Sequence, residues 1–170
     1  MYPSVTRIYI DGNNLGFSAK EMNIDVDFQA LQLLLIPQTG RATFNYYTGI
    51  TSNATSSQKY FISCLEKYGY KVALLPIVHF KDGTAKTVGD DMSMGIDIVE
   101  DSQIGDRVII VSGDGDFVPV VKKIQDKGIK ATVVAYKKNT SHDLRHIADD
   151  FIDLDPVKYQ IAKHTKLTIA

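Results

Sequence analysis

Three aspartates directly follow two apolar runs that have the composition of buried strands. Asp11 follows the run Arg7–Ile10, and Asp114 and Asp116 follow the run Val108–Val111. In an open α/β sheet, ligands bind beyond the carboxyl ends of the strands. A lone aspartate there more commonly closes a turn or caps the next helix, and that alternative stays open for Asp114. Three acids at two strand ends favour a ligand site instead.

A further acidic group lies in the segment Asp91–Glu100, whose spacing predicts a helix. The apolar arc of its helical wheel contains Met92, Met94, Gly95, Ile96, Ile98 and Val99. Asp91 falls inside this arc, so we expect its carboxylate to face the sheet, which is costly unless a cation or donors meet it. Asp90, Asp97 and Asp101 fall on the opposite arc, which predicts a solvated face. Asp90 could equally be an N-terminal cap.

These positions predict that Asp11, Asp91, Asp114 and Asp116 converge on one metal site. Mg²⁺ and Mn²⁺ are hard ions that take oxygen ligands and keep several waters. Because clustered carboxylates repel one another, a bound cation is what makes such a cluster stable. The chemistry that follows is phosphodiester hydrolysis, in which the ions lower the pKa of a water and neutralise charge on the phosphate.

Strand-like and helix-like segments alternate along the chain. The predicted strands are Val5–Ile10, Thr43–Tyr47, Lys71–Ile77, Arg107–Val111, Lys130–Tyr136 and Phe151–Leu154. The predicted helices are Phe28–Ile36, Ser56–Tyr68, Asp91–Glu100, Pro119–Lys127 and Ser141–Ala148. This alternation predicts an α/β fold class with a mostly parallel central sheet covered on both faces.

Length and composition limit the remaining possibilities. The chain has 170 residues, enough for one core, and a formal net charge of −1, which gives no global indication of nucleic-acid binding. The single cysteine, Cys64, cannot form an internal disulfide and indicates a reducing compartment. No secretory signal or membrane-length apolar run is visible, so we expect a cytoplasmic protein that does not enter the membrane.

Several motifs together resemble the NYN-domain proteins of the LabA-like branch, within the PIN-like nuclease superfamily. The family's Ile-Asp-Gly-x-Asn opening matches residues 10–14, and its Ser-Gly-Asp-x-Asp-Phe element matches Ser112–Phe117. Its helix with two aspartates six residues apart matches Asp91 and Asp97. Phe117, Pro119 and Gly128 fit the continuation, and Leu144, Ala148, Asp149 and Phe151 fit the closing segment. The resemblance runs from about Arg7 to Leu154, nearly the whole chain.

The resemblance implies a metal-dependent ribonuclease with a PIN-like three-layer α/β/α fold over residues 1–155. We expect its partner to be single-stranded RNA. It implies that Asp11, Asp91, Asp114 and Asp116 are ligands of Mg²⁺ or Mn²⁺. Asn14 and Ser112 are then expected as hydrogen-bonding neighbours of the ligands. Asp97 is expected to contact a ligand residue at most, and not the ion itself. Residues 156–170 form a C-terminal tail that is a candidate contact for a homodimer or a protein partner.

Candidate RNA contacts come from basic residues outside the acidic motifs. The family often carries a lysine shortly before the helix aspartate, whereas here the nearest is Lys86, which we assign as a phosphate contact. Lys137, Lys138 and Arg145 cluster between the last clear strand and the next helix, where they could meet phosphates. A solvated basic helix start explains the same three residues.

Two other function classes fit parts of the pattern. The neutral charge balance fits a regulatory or RNA- or protein-binding protein that keeps the acidic pocket with negligible turnover. Paired acids after a strand also occur in enzymes that act on small phosphates. Against the latter class, the chain has no Walker-type glycine loop, and Asp11 is followed by Gly-Asn-Asn rather than a phosphatase-like nucleophile segment.

Overall fold

A computed structural model describes residues 5–38 and 40–163 of the chain. The strands are β1 (Val5–Asp11), β2 (Arg41–Ile50), β3 (Tyr70–His79), β4 (Ala85–Thr87), β5 (Arg107–Val111), β6 (Lys130–Ala135) and β7 (Asp150–Asp153). The helices are α1 (Gly12–Glu21), α2 (Phe28–Leu35), α3 (Ser56–Lys67), α4 (Asp90–Asp101), α5 (Val118–Asp126) and α6 (His142–Ile147). Short 3₁₀ turns cover Gly115–Phe117 and Lys137–Asn139. None of the helices in the described ranges has the length and apolarity of a membrane span.

The strands form one seven-stranded sheet in the order β4-β3-β2-β1-β5-β6-β7. All neighbouring pairs are parallel except β3 and β4, which are antiparallel. Apolar side chains alternate across the two faces of the central strand, because successive residues of a strand point to opposite sides. Ile8 and Ile10 pack with α1, α2 and α3 on one face, whereas Tyr9 packs with α4, α5 and α6 on the other. The predicted three-layer α/β/α fold with a mostly parallel sheet is confirmed.

Two elements have no counterpart among the predicted segments. Helix α1 begins with Gly-Asn-Asn. These residues have low helix propensity, so the sequence gives only a weak indication of a helix there. Its start is stabilised instead by the Asp11 carboxylate, which accepts a hydrogen bond from Asn14 N at 2.9 Å. Strand β4 has only three residues and forms by pairing with the end of β3. Its sequence is too short to show the alternation that predicts a strand.

The register of β1 and β5 brings two chain segments together at one edge of the sheet. Ile10 lies beside Val111, so Asp11 and Ser112 leave the two strands at the same level. Both strands are parallel, and their carboxyl ends therefore share an edge, which is the edge where ligands bind in open α/β sheets.

The predicted tail after Pro156 continues into the domain. Ile161 is fully buried in the core on the α1 side, and its carbonyl accepts a hydrogen bond from Asp27 N at 2.7 Å. Ala162 pairs with Val26 in an isolated antiparallel bridge. Residues 161–163 thus pack against the loop before α2, and residues 164–170 of the tail lie outside the described ranges.

Candidate metal centre

Asp11 is the last residue of β1 and lies almost fully buried, with 5% of its surface exposed. One carboxylate oxygen accepts from Asn14 N at 2.9 Å, and the other accepts from Ser112 Oγ at 3.0 Å. Burial raises its pKa above the ordinary value, while these two hydrogen bonds oppose the rise. Each carboxylate oxygen has a second lone pair, so Asp11 keeps the capacity to bind a cation.

The segment after β5 is tied to the start of α1 by hydrogen bonds. Gly113 N donates to Asn14 Oδ1 at 2.9 Å, and Asp114 N donates to Ser112 Oγ at 3.1 Å. Asn14 and Ser112, which the sequence places next to the acids, therefore each touch both strand-end segments. Their contacts fix the backbone that carries Asp114.

The capping alternative for Asp114 is also present in the structure. Asp114 Oδ1 accepts a hydrogen bond from Asp116 N at 3.0 Å and begins the 3₁₀ turn that leads into α5. Asp114 is half-buried and Asp116 is exposed, so both carboxylates remain accessible at the sheet edge. Capping engages one oxygen of Asp114 and leaves the other free of that contact.

The start of α4 brings two aspartates to the same edge. Helix α4 follows Gly89, whose φ of 83° is in the left-handed region that glycine tolerates best. Asp91 is half-buried and Asp90 is buried, with 8% of its surface exposed. The prediction that Asp90 lies on a solvated face or caps the helix is wrong, because it is the first residue of α4 and faces inward. Its carboxylate accepts from Asn13 Nδ2 at 2.7 Å, and the same amide donates to Thr87 Oγ1 at 2.9 Å.

Two groups of three carboxylates result, and they share Asp91. One consists of Asp11, Asp90 and Asp91, and the other of Asp91, Asp114 and Asp116. Within each group one oxygen from every residue lies within 4.8 Å of the others. An all-oxygen donor set at this spacing suits Mg²⁺ or Mn²⁺ and does not suit a metal that prefers sulfur or nitrogen ligands.

The electrostatics of Asp91 reflect this crowding. Burial, followed by the charges of the four neighbouring aspartates Asp11, Asp90, Asp114 and Asp116, raises the pKa of Asp91 from 3.8 to about 6. No cationic side chain is among these leading causes of the shift. Among the described residues, the charges that act most strongly on Asp91 are therefore those of carboxylates, and a divalent cation would relieve this repulsion.

The remaining predicted site residues occupy different positions relative to these acids. Lys86 lies on β4 and lines the acidic pocket, which has a volume of about 460 Å³. Asp97 belongs to neither carboxylate group; it accepts a hydrogen bond from Tyr47 Oη at 2.5 Å. Lys137 and Lys138 are exposed on the 3₁₀ turn after β6 and, like Arg145, line no part of the pocket that the structure describes.

The helical wheel was wrong for two apolar residues of α4. Met92 and Ile96 were expected to face the sheet, yet 69% and 48% of their surfaces are exposed. The buried apolar residues of α4 are Met94, Gly95 and Ile98, so the buried arc is rotated toward Asp90. The rotation explains why Asp90 faces inward. Asp90 and Asn13 are the site residues that sequence reasoning missed, although the adjacent acids Asp90-Asp91 were a visible signal.

Comparisons with known proteins agree with the fold and motifs. The model of the NYN domain family matches residues 6–155. The low amplitude and bright protein LabA of Synechococcus elongatus is 26% identical over 168 residues, which cover 95% of this chain and 89% of that protein. A crystal structure of a Vibrio parahaemolyticus protein of unknown function superposes with a TM-score of 0.81 and 27% identity, covering 95% of this chain and 98% of that one.

Proposed function

The chain belongs to the NYN domain family of PIN-like nucleases, and on this premise we propose that it is a metal-dependent ribonuclease that hydrolyses single-stranded RNA. The observation that carries the proposal is the pair of carboxylate groups that share Asp91 at the carboxyl edge of the sheet. When bound, Mg²⁺ or Mn²⁺ supplies positive charge beside the phosphate and makes an attacking water more acidic.

Each residue of the centre has a defined task in this proposal. Asp91, Asp114 and Asp116 form the more accessible group and would hold the ion that faces the substrate. Asp11 would add a ligand from the buried side, where Asn14 N and Ser112 Oγ fix its two oxygens. No histidine is needed as a base, because the cation provides the acidification of water.

Asp90 extends the ligand set beyond the four acids expected from the sequence. Its carboxylate lies close to those of Asp11 and Asp91 and is held by the amide of Asn13. We infer that it binds the ion directly or orients a water of the ion's shell. Either contact makes Asn13 a positioning residue, because the amide determines which oxygen of Asp90 faces the centre.

Among the residues that the structure describes, Lys86 is the cationic side chain that lines the acidic pocket. It is exposed on the edge strand β4, where a phosphate bound at the acids would come within reach of a flexible ammonium group. Its role would be to attract the RNA backbone rather than to participate in bond cleavage.

A second candidate function is metal-dependent binding of RNA or protein with negligible turnover. The observation that favours it is the charge balance, because the formal net charge is −1 and Lys86 is the cation that lines the acidic pocket in the described ranges. A protein with few phosphate contacts binds RNA weakly and depends on the metal to do so.

Cleavage of a labelled single-stranded RNA by the purified protein tests the proposal. We expect cutting in Mn²⁺ or Mg²⁺, none in EDTA, and none with the double variant Asp114→Asn plus Asp116→Asn. Asp126→Asn, an exposed carboxylate at the end of α5, is the matched control and should cut normally. Cutting that survives EDTA or the double variant would overturn the proposal. Metal binding without any cutting would favour the binding role instead.

A further inference from the structure

An apolar groove lies between α4 and the start of α5 and opens beside the acidic centre. Its volume is about 820 Å³, which is within the range of about 300–1,000 Å³ typical of ligand pockets. Its apolar wall consists of Val88, Met92, Ile96, Val99, Pro119 and Val120. None of these six residues belongs to the metal centre or is used by the proposed reaction.

Part of the apolar wall of this groove is exposed to solvent. Met92, Ile96 and Val88 are 69%, 48% and 47% exposed, and all three face the same concavity. A concave surface lined mainly by apolar side chains is typical of ligand pockets. The two walls come close where α4 carries Gly95, because a Cβ there would lie 3.1 Å from Val120 Cγ2.

The groove and the acidic pocket are continuous. Five residues line both of them: Lys86, Thr87, Asp90, Asp91 and Asp116. A ligand held at the carboxylates therefore extends directly into the apolar groove. The ligand that this arrangement fits has an anionic group, which a bound cation would hold at the carboxylates, joined to an uncharged group with apolar surface.

We propose that the groove binds the base of the nucleotide next to the phosphate held at Asp91 and Asp116. This inference rests on the proposed ribonuclease function and names a subsite for its substrate. A bound cation would hold the phosphate at the carboxylates, and the sugar would then carry its base toward the thioether of Met92 and the side chain of Ile96. Single-stranded RNA supplies such unstacked bases, whose apolar faces lose contact with water when they pack against the aliphatic and thioether side chains of the groove.

The composition of the groove also determines its selectivity. No aromatic residue is among the groove residues in the described ranges, and the polar groups lie mainly at the acidic end. Packing on aliphatic and thioether surfaces does not read the hydrogen-bonding edges of a base. The subsite is therefore tolerant of sequence and contributes affinity rather than discrimination between the four bases.

The test combines cleavage kinetics with crosslinking. The double variant Met92→Ser plus Ile96→Ser removes the exposed apolar wall, and Ile104→Ser, at a residue 84% exposed outside the groove, is the control. We expect the variant to raise KM for single-stranded RNA about tenfold with kcat and Mn²⁺ affinity unchanged. An RNA that lacks the base at the nucleotide beside the cleaved bond should show no difference between the variant and the wild type. RNA containing 4-thiouridine should crosslink to α4 in the wild type.

The outcomes separate this inference from the proposed function. Metal-dependent cleavage with an unchanged KM in the variant, or crosslinks only at Lys137 and Lys138, would overturn the base subsite and leave the ribonuclease intact. Crosslinking at α4 without cleavage would support the subsite and reject the ribonuclease activity. A wild-type dimer that the double variant converts to monomer in sedimentation would overturn the inference, because a second copy of the chain would then occupy the groove.

Discussion

Aspartates at this sheet edge combine a structural contact with a free ligand position. Asp11 and Asp114 each accept a backbone hydrogen bond that begins a helical segment, from Asn14 N and Asp116 N respectively. Such contacts fix the side-chain rotamer before any ion arrives, which reduces the entropy lost on binding. Capping and metal binding are therefore compatible roles for the same carboxylate, rather than competing explanations of it.

Ser112 tests this preorganisation, because its hydroxyl donates to Asp11 at 3.0 Å and accepts from Asp114 N at 3.1 Å. We expect Ser112→Ala to weaken Mn²⁺ binding about tenfold, the lower end of the effect of removing a group that orients a metal ligand. Isothermal titration calorimetry gives the affinity. Ser102→Ala, a buried serine at the other end of α4, should bind Mn²⁺ as the wild type does. Equal affinities for all three proteins would contradict the orienting role.

The charge of Asp91 gives a pH-dependent prediction for the metal-free protein. Because the pKa of Asp91 is raised to about 6, the folded state binds its proton more tightly than the unfolded state does. This stabilisation is complete below the unfolded pKa and is lost as the pH rises through about 6. In EDTA we expect the thermal midpoint to fall from about pH 5 to about pH 7.

Two variants test whether Asp91 causes this dependence of the thermal midpoint on pH. Asp91→Asn should reduce the fall in midpoint and make the metal-free protein more stable at neutral pH, while it weakens Mn²⁺ binding. Asp126→Asn, at an exposed position on α5, should keep the wild-type profile. A midpoint in Asp91→Asn that depends on pH as strongly as in the wild type would show that the raised pKa of Asp91, caused by burial and by the neighbouring carboxylates, is not the source of the pH dependence.

The residues of the centre were predictable to different degrees. Asp11, Asp114 and Asp116 were predicted because each follows an apolar strand or lies just beyond it, and Asp91 because a carboxylate inside an apolar arc is anomalous. Asp90 was missed because the wheel placed Met92 and Ile96 in the buried arc, although both line an exposed groove. Apolar side chains that line a ligand groove and apolar side chains in the core have the same periodicity in the sequence. Only the packing in the folded structure distinguishes the two.

At the scale of elements, the centre depends on how closely the loops after β5 and β6 approach each other. Ser141 N donates to Gly113 O at 2.8 Å, and a Cβ on Gly113 would lie 2.4 Å from Asn139 O and 3.0 Å from Thr140 Cα. These are backbone atoms and cannot rotate away. A glycine at residue 113 therefore lets the loop that carries Asp114 pack against its neighbour.

Gly113→Ala should consequently force the two loops apart. We expect a loss of about 1–3 kcal/mol in the free energy of unfolding, as for other overpacked sites, together with weaker Mn²⁺ binding. Chemical denaturation and calorimetry measure the two effects. Gly16→Ala is the matched control in α1, where a Cβ would meet nothing within 4 Å, and it should stabilise the protein by about 0.5–1 kcal/mol. A Gly113→Ala protein as stable as the wild type would contradict the packing argument.

Long periodic elements were predictable and short context-dependent ones were not. The strands β1, β5 and β6 and the helices α2, α3 and α5 carry apolar patterns that their own sequences determine. Helix α1 forms because the Asp11 carboxylate accepts a hydrogen bond at its start, and β4 because β3 offers an edge. Both elements contribute to the acidic pocket through Asn13 and Lys86, so the unpredicted elements include part of the functional region.

At the scale of the whole molecule, the basic residues that were expected to bind RNA do not line the acidic pocket that the structure describes. The parallel strands direct Asp11 and Ser112 to one edge, and the loop after β6 reaches that edge at Ser141. Lys137 and Lys138 lie on this loop, exposed and outside the acidic pocket. RNA that spans both regions would make a small number of phosphate contacts on a protein whose net charge is −1.

The salt dependence of RNA binding tests whether the basic loop participates. In Ca²⁺, without turnover, the logarithm of the affinity should fall with the logarithm of salt concentration, by about 0.7 for each phosphate that the protein neutralises on a single strand. Replacing Lys137 and Lys138 with Ala should weaken binding and reduce this slope by about 0.7 for each phosphate that the variant no longer neutralises. Lys59 and Lys67, exposed on α3 on the other face of the sheet, provide the control pair and should leave the slope unchanged. If the Lys137 and Lys138 variant keeps the wild-type slope, these two lysines do not contact RNA and only form a solvated helix start. RNA affinity would then depend on the metal, Lys86 and the apolar groove.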